Sequence, residues 1–436
     1  MTYPKNLKQS ILDFRKKEIL QFFKYLNDNK KKFAVLGNIV NFPNKIVSDI
    51  DLYIEFNSIR ELKTLLSNFV KKRGLKISNI YKHEYNSFFF VITKEYKNKL
   101  LYMYLDICNY YTHKSFDLIN LSNLKTNRLN YRGISFFKLN NVDNVYYYFV
   151  KKLMKGDINK VNYQYLKKNK YKLIANINFK NHEKKTILNV LKSNNHLFFL
   201  SKISQLRNMI KRKKKIRFIF EIKRILFRIK YKTGYHVAFL GVDGSGKTTQ
   251  IKKLNYSNYS NLFRNKKNYH LYNLKNYKLN KKVQPYNKSY GYVLSFLKII
   301  YLFLFFSKFY FINLFLMKIK SALVISDRTH HDVMIDPKRY GIYHNYFFLI
   351  KLFSIFPEPD ILFYLNVKPN IILRRSKELS KGILKNNLNK YKIFLKKKKT
   401  IFINANYNPK KISRKINKIL FINLNKKTKL TFNNLV

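Results

Sequence analysis

The stretch Phe239-Leu240-Gly241-Val242-Asp243-Gly244-Ser245-Gly246-Lys247-Thr248-Thr249-Gln250 decides how the second half of this chain folds. It fits G-x-x-x-x-G-K-[ST], the phosphate-binding loop that leaves a buried strand and opens a helix. Val237 to Leu240 supply the apolar strand, and Thr248 to Leu254 start the helix. Three glycines let the backbone turn tightly, so that Gly241, Gly244, Ser245, Gly246 and Thr249 form a cradle for a polyphosphate at the positive end of that helix. Lys247 would reach the β- and γ-phosphates, and the Thr248 hydroxyl would bind Mg²⁺.

Working outward, Ala322-Leu323-Val324-Ile325-Ser326 is a second apolar run, and it ends in Asp327-Arg328. Strand ends in parallel sheets form the ligand crevice. There Asp327 can hold Mg²⁺ or its water. Arg328 can clamp an acceptor phosphate or offset charge on the transferring phosphoryl. A surface pair after a strand is the plainer reading of both. With Ile361–Asn366 and Thr400–Asn404, these runs predict an α/β domain of three layers, a parallel sheet covered on both faces. The adjacent His330 and His331 cannot both face one site from a regular element. Phosphoryl transfer needs little base help, so they are read as packing or acceptor contacts. Asp332 and Asp336, four apart, would share a helix face, either near the acceptor or in solvent.

Gly241 to Gln250 with the later Asp327-Arg328 resembles the thymidylate kinases. Asp327 to Tyr340, Pro357-Glu358-Pro359-Asp360, Leu373 to Leu379 and Ile403-Asn404-Ala405 are similar to a thymidylate-kinase-like branch often found among bacterial surface-polysaccharide genes. The resemblance spans residues 236–420 and implies a P-loop kinase using ATP and Mg²⁺. It implies that Asp243 faces the acceptor and accepts a hydrogen bond from a sugar hydroxyl. Arg328 would then bind the acceptor phosphate, and Arg375, at the start of the lid segment, would reach the donor phosphates on closure. Thr329 stands where an aromatic residue is usual, and Asn366 where Asp is common. Residues 255–295 show no thymine-site pattern. The acceptor therefore stays open.

In the first half, Phe33–Leu36, Ile50–Phe56, Ser87–Thr93 and Leu100–Asn109 read as strands. Ile59–Lys72 reads as a helix with Leu62, Leu65, Leu66 and Phe69 at helical spacing, ended by Arg73-Gly74. Val35-Leu36-Gly37-Asn38, Ser48-Asp49-Ile50-Asp51 and Leu105-Asp106-Ile107 form a second constellation. Residues two apart share a strand face, so Asp49 and Asp51 point together and Asp106 can join from a neighbouring strand. Three carboxylates there suit two Mg²⁺ ions bridging a nucleoside triphosphate. The pattern resembles the polymerase-β-type nucleotidyltransferases, with Asn38 where they carry Ser or Gly. It implies an α+β domain, either active or only a scaffold. Val142–Met154, Lys184–Leu191 and Leu197–Ile210 look helical and resemble the extension that often follows such domains. Lys211–Lys215 is a basic run, and Lys232-Thr233-Gly234 breaks the pattern before the loop strand. Three regions are expected: a nucleotidyltransferase-like domain at 1–125, a helical region at 126–230 and a P-loop kinase domain at 231–436.

At 436 residues the chain has room for two or three domains. Its net charge of +67 is that of a nucleic-acid binder, but the excess is lysine spread along the whole chain. It comes with abundant Asn, Ile, Tyr and Phe and no Trp, a set that A- and T-rich codons produce. Nonspecific attraction to nucleic acid and anionic lipid follows; a specific nucleic-acid partner does not. The lone Cys108 excludes an intramolecular disulfide and suits a reducing cytoplasm. The first residues lack the apolar core of a signal peptide. Val293–Met317 is apolar, but Lys298 and Lys308 interrupt it, and a span needs about 20 largely uncharged residues. No transmembrane span is expected; a helix buried in the kinase core is, with contact along a membrane face as the alternative.

The expected function is ATP- and Mg²⁺-dependent phosphoryl transfer to a nucleoside monophosphate or a related phosphorylated or sugar acceptor. The alternatives are nucleotidyl transfer, or a sugar kinase of a polysaccharide pathway, with the other domain accessory. A cytoplasmic protein with a nucleotide donor and such an acceptor is expected, and a homodimer is compatible with this.

Overall fold

Runs rich in β-branched and aromatic residues build the first half of the chain into strands. The computed structural model describes residues 5–37, 41–97, 99–176, 179–193, 195–212, 214–271, 291–342, 346–375 and 381–435. Asn38, part of the 255–295 segment and Ser376–Leu379 of the sequence motifs lie outside the described residues. The chain divides into two units, Met1–Lys230 with Thr428–Val436, and Tyr231–Lys427.

In the first unit the strands are β1 (Phe33–Val35), β2 (Ile50–Ile54), β3 (Lys76–Glu84), β4 (Ser87–Tyr96), β5 (Lys99–Cys108), β6 (Tyr110–His113), β7 (Phe116–Asn120), β8 (Thr126–Tyr131) and β9 (Ile134–Leu139). Seven of them form one mixed sheet in the order β3-β4-β5-β2-β1-β9-β8, and β6 and β7 pair separately. β2 and β5 run parallel with Asp51 opposite Asp106. The helix Lys5–Asp28 buries Ile19, Phe22, Phe23 and Leu26. Phe23 stacks on Phe33 at 5.2 Å and on Phe136 at 5.4 Å. Burying one such ring contributes about 1.5–3 kcal/mol, so a charge at Phe23 would detach this helix. The helix Ile59–Arg73 buries the expected Leu62, Leu65, Leu66 and Phe69. Ser58 caps its start, and Gly74, at φ +60°, ends it.

The helical middle region begins later than expected. Thr126–Tyr131 and Ile134–Leu139 are the outer strands of the sheet. β8 is polar and almost wholly exposed, so it lacks the alternation that marks a strand. The helices follow, with Asn141–Lys155, Asn181–Lys192, His196–Ser201 and Ile203–Lys211 around one core.

The second unit is mixed α/β. β10 (Tyr235–Leu240), β11 (Asn265–His270), β12 (Ala322–Asp327), β13 (Ile361–Asn366) and β14 (Thr400–Asn404) form a parallel sheet in the order β11-β12-β10-β13-β14. β10 and β12 are buried at every residue, the mark of strands covered on both faces. The expectation for Val293–Met317 needs correction. The helix Tyr292–Ser307 continues through a π-helical segment, Lys308–Leu314, to Phe315–Ile319. By length and composition it is apolar enough to cross a membrane, yet only 33% of its apolar window is buried. One stripe enters the core and the rest faces outward. An apolar composition fixes neither how many sides of a helix are covered nor by what.

Candidate functional site

The strands of the second sheet all end on one edge, and the loops leaving that edge carry its charges. β10 passes into the glycine turn, and the helix Lys247–Asn255 begins at its cap, Gly246 (φ +92°). Gly241 has φ +146°, and a Cβ there would meet Ser245 Oγ at 2.8 Å and the Leu365 carbonyl at 3.3 Å. A side chain would force the turn open. Lys247 folds back over the turn, its Nζ donating to the carbonyls of Gly241 (2.8 Å) and Val242 (3.0 Å). Burial, then the Arg328 charge, lowers its pKa.

A cavity of about 470 Å³ gathers Asp243, Gly244, Ser245, Gly246, Lys247, Thr248, Thr249, Asp327, Arg328 and Arg375. Gly241 shapes the turn from outside it. Gln250, His270, Ala405, Tyr407, Pro409 and Ile412 complete the wall. Among the described residues, the buried Ser245 Oγ and Asp327 Oδ1 have no hydrogen-bond partner. Each such atom costs about 1–3 kcal/mol unless a ligand satisfies it. An orphaned carboxylate oxygen beside an exposed Thr248 fits a bound Mg²⁺ with phosphate oxygens.

Beside the cavity lies a charge cluster. Arg328 follows β12 with φ +73°, in the left-handed region, and its N–H donates to the Phe239 carbonyl at 3.0 Å. Such a backbone in a non-glycine residue costs about 1–3 kcal/mol and clusters at functional sites. Its guanidinium donates to Asp243 Oδ1 at 2.6 Å and lies 3.6 Å from Asp332. Arg339 donates to the other Asp243 oxygen, and Lys247 Nζ stands 3.6 Å away. Burial raises the Asp243 pKa, but Lys247, Arg328 and Arg339 outweigh it and hold the carboxyl well below the usual range. In the sequence Arg339 stands only within the motif from Asp327 to Tyr340. No local signal gave it a role, because its meeting with Asp243 is tertiary.

The buried histidines pack. His330 Nδ1 pairs with the Tyr310 hydroxyl at 2.8 Å. His331 pairs with Thr329 at 2.9 Å and Glu358 at 3.0 Å. Asp332 caps its own helix, His330–Ile335, and accepts from the Tyr391 hydroxyl. Asp336 is that helix's C-terminal cap, so the pair does not form a helix-face motif.

In the first unit, ligand oxygens of Asp49, Asp51 and Asp106 lie within 4.8 Å of one another. The parallel register of β2 and β5 places Asp51 beside Asp106. Two side chains already touch them, Lys151 on Asp51 at 2.5 Å and His83 on Asp106 at 3.0 Å. Burial raises the Asp51 pKa more than Lys151 lowers it. At Asp106, burial is outweighed by His83 and Lys151. Neither partner was legible, since both arrive from other elements. A larger hollow of about 860 Å³ in this unit includes none of the three aspartates. Its Asn86, Asn120 and Asp143 are engaged with neighbouring residues.

No family model matches this chain, and no curated protein matches it. Among solved structures it is similar to thymidylate kinase from Candida albicans, described as having broad substrate specificity and a novel structural element. The identity is 13%, the TM-score 0.33, and the match covers 44% of this chain and 93% of that one.

Proposed function

We propose that the second unit is a kinase that moves the γ-phosphoryl of ATP to a nucleoside monophosphate or a related phosphorylated or sugar acceptor. The observation that carries this reading is one cavity joining the glycine turn, Lys247, Thr248, Asp327, Arg328 and Arg375. The turn binds the donor phosphates, and Lys247 leaves its two carbonyl partners to meet them. Asp327 and Thr248 would hold Mg²⁺, which when bound neutralises phosphate charge. Arg328 and Arg375 offset charge on the transferring group, the term that dominates such reactions. Lys247→Ala should abolish phosphoryl transfer from labelled ATP while circular dichroism and the thermal midpoint stay unchanged. Full activity in that variant ends the reading.

A second reading, nucleotidyl transfer in the first unit, is supported by the convergence of Asp49, Asp51 and Asp106. Pyrophosphate release from a nucleoside triphosphate by wild type, lost in Asp51→Asn with kinase activity kept, would support it. Equal release by both proteins would remove it.

A further inference from the structure

The long helix Tyr292–Ile319 has two unlike faces. Ile299, Leu302, Phe306 and Leu314 enter an aromatic core with Val333 and Phe353. On the other side Val293 is 71% exposed, Leu297 53%, Leu304 62% and Phe311 57%. Phe348, 74% exposed, lies in the segment whose Phe353 meets Phe303. So contiguous an apolar face marks an interaction site.

Charge says what covers it. Between Asp243 and Asp327 the sequence contains no Asp or Glu. Lys308 and Lys320 are exposed on and just after the helix. A second copy of this chain would set lysines against lysines, which costs affinity. Anionic headgroups meet the same lysines with opposite charge. A transmembrane pose is ruled out by packing, because crossing a bilayer would strip Leu302 and Phe306 from the core they help to form.

We propose that this helix lies in the plane of an anionic phospholipid bilayer, its open face at the headgroup and acyl boundary and its lysines at the lipid phosphates. The helix leads directly into β12, whose far end carries Asp327 and Arg328. The kinase cavity would therefore work beside the membrane surface.

The chain has no tryptophan, so Tyr301→Trp, at a position 52% exposed, gives a single reporter. Full-length protein is mixed with vesicles of phosphatidylcholine, alone or with phosphatidylglycerol. The salt is held near physiological strength, where the Debye length is about 8 Å and attraction to anionic headgroups persists; quenching from the acyl chains separates insertion from adsorption by charge alone. Emission should shift to the blue with the anionic vesicles and be quenched by brominated acyl chains. Leu297→Glu with Leu304→Glu should weaken vesicle partition roughly tenfold or more, with ATP binding unchanged. Unshifted emission on sedimented vesicles, or full partition by the double variant, overturns the proposal. So does a blue shift that needs no lipid and tracks a doubling of sedimentation mass, which would assign the face to a second copy.

Discussion

The two charged sites differ in which sign is in surplus. In the first unit three aspartates converge, and Lys151 and His83 are drawn onto them. In the second unit one carboxylate, Asp243, is met by three cations, Lys247, Arg328 and Arg339. Surplus carboxylate prepares a site for cations; surplus guanidinium and ammonium prepare one for anions. Each site is meanwhile neutralised by a group from its own chain. The ligand of either site must displace or share that internal partner, so affinity is a difference between two ion pairs and not the strength of one.

That contrast can be broken at the arginines first. Arg328→Lys keeps the charge but loses the planar fork that holds Asp243 and would hold a phosphate. We expect kcat for phosphoryl transfer to fall roughly 10³-fold, the scale of an arginine at a transferring phosphoryl. A loss under about tenfold would make Arg328 merely structural. Arg339→Gln should lower kcat/KM for the acceptor roughly 10²-fold and leave ATP affinity in place, because it holds the far oxygen of Asp243. An ATP affinity that falls equally would instead place Arg339 on the donor side.

The frame under the second site has its own pH limit. His236, buried on β10, pairs through Nε2 with Ser326 Oγ at 2.8 Å. Burial pushes its pKa down to about 3, against about 6.5 in the unfolded chain. The folded pKa is depressed, so stability is full above pH 6.5 and is lost as pH falls from there toward 3. By pH 5 the loss is about 2 kcal/mol. Denaturant midpoints at pH 7 and pH 5 should therefore fall further for wild type than for His236→Gln. Equal falls would mean that the ring is protonated in the folded protein.

How much of this was legible depends on how local each signal is. β10 and β12 are buried at every residue, so they read as continuous apolar runs. β11, Asn265–His270, is an exposed edge of the same sheet, and its polar sequence resembles a loop. The helix Lys5–Asp28 carries a weak signal, because its buried Phe22, Phe23 and Leu26 sit among lysines. The glycine turn was plain because its chemistry lies within a few consecutive residues. Arg339, Lys151 and His83 were not, because their meaning arises only when distant elements meet. The helix from Tyr292 misled for the opposite reason: apolar side chains indicate a preference for leaving water, and the sequence does not say which neighbours cover them.

The smallest expected effect separates the two sites most sharply. Lys151 reaches Asp51 from the helix Asn141–Lys155. Burial lowers its pKa, but Asp51 and Asp106 raise it more, so the ammonium is charged where a metal ion would compete for the same oxygen. Removing a unit charge about 4 Å from a cation relieves up to about 4 kcal/mol of repulsion at an effective dielectric of 20. The two carboxylates would lose a neutralising partner at the same time, and repulsion between them would return part of that gain. Lys151→Met should thus tighten Mn²⁺ binding to the full-length protein only about tenfold, read by paramagnetic relaxation of water. Kinase activity should not change. If Mn²⁺ binding is instead lost, Lys151 is part of what holds Asp51 in place, and the first unit's carboxylates are a lysine-braced scaffold with no metal to exclude.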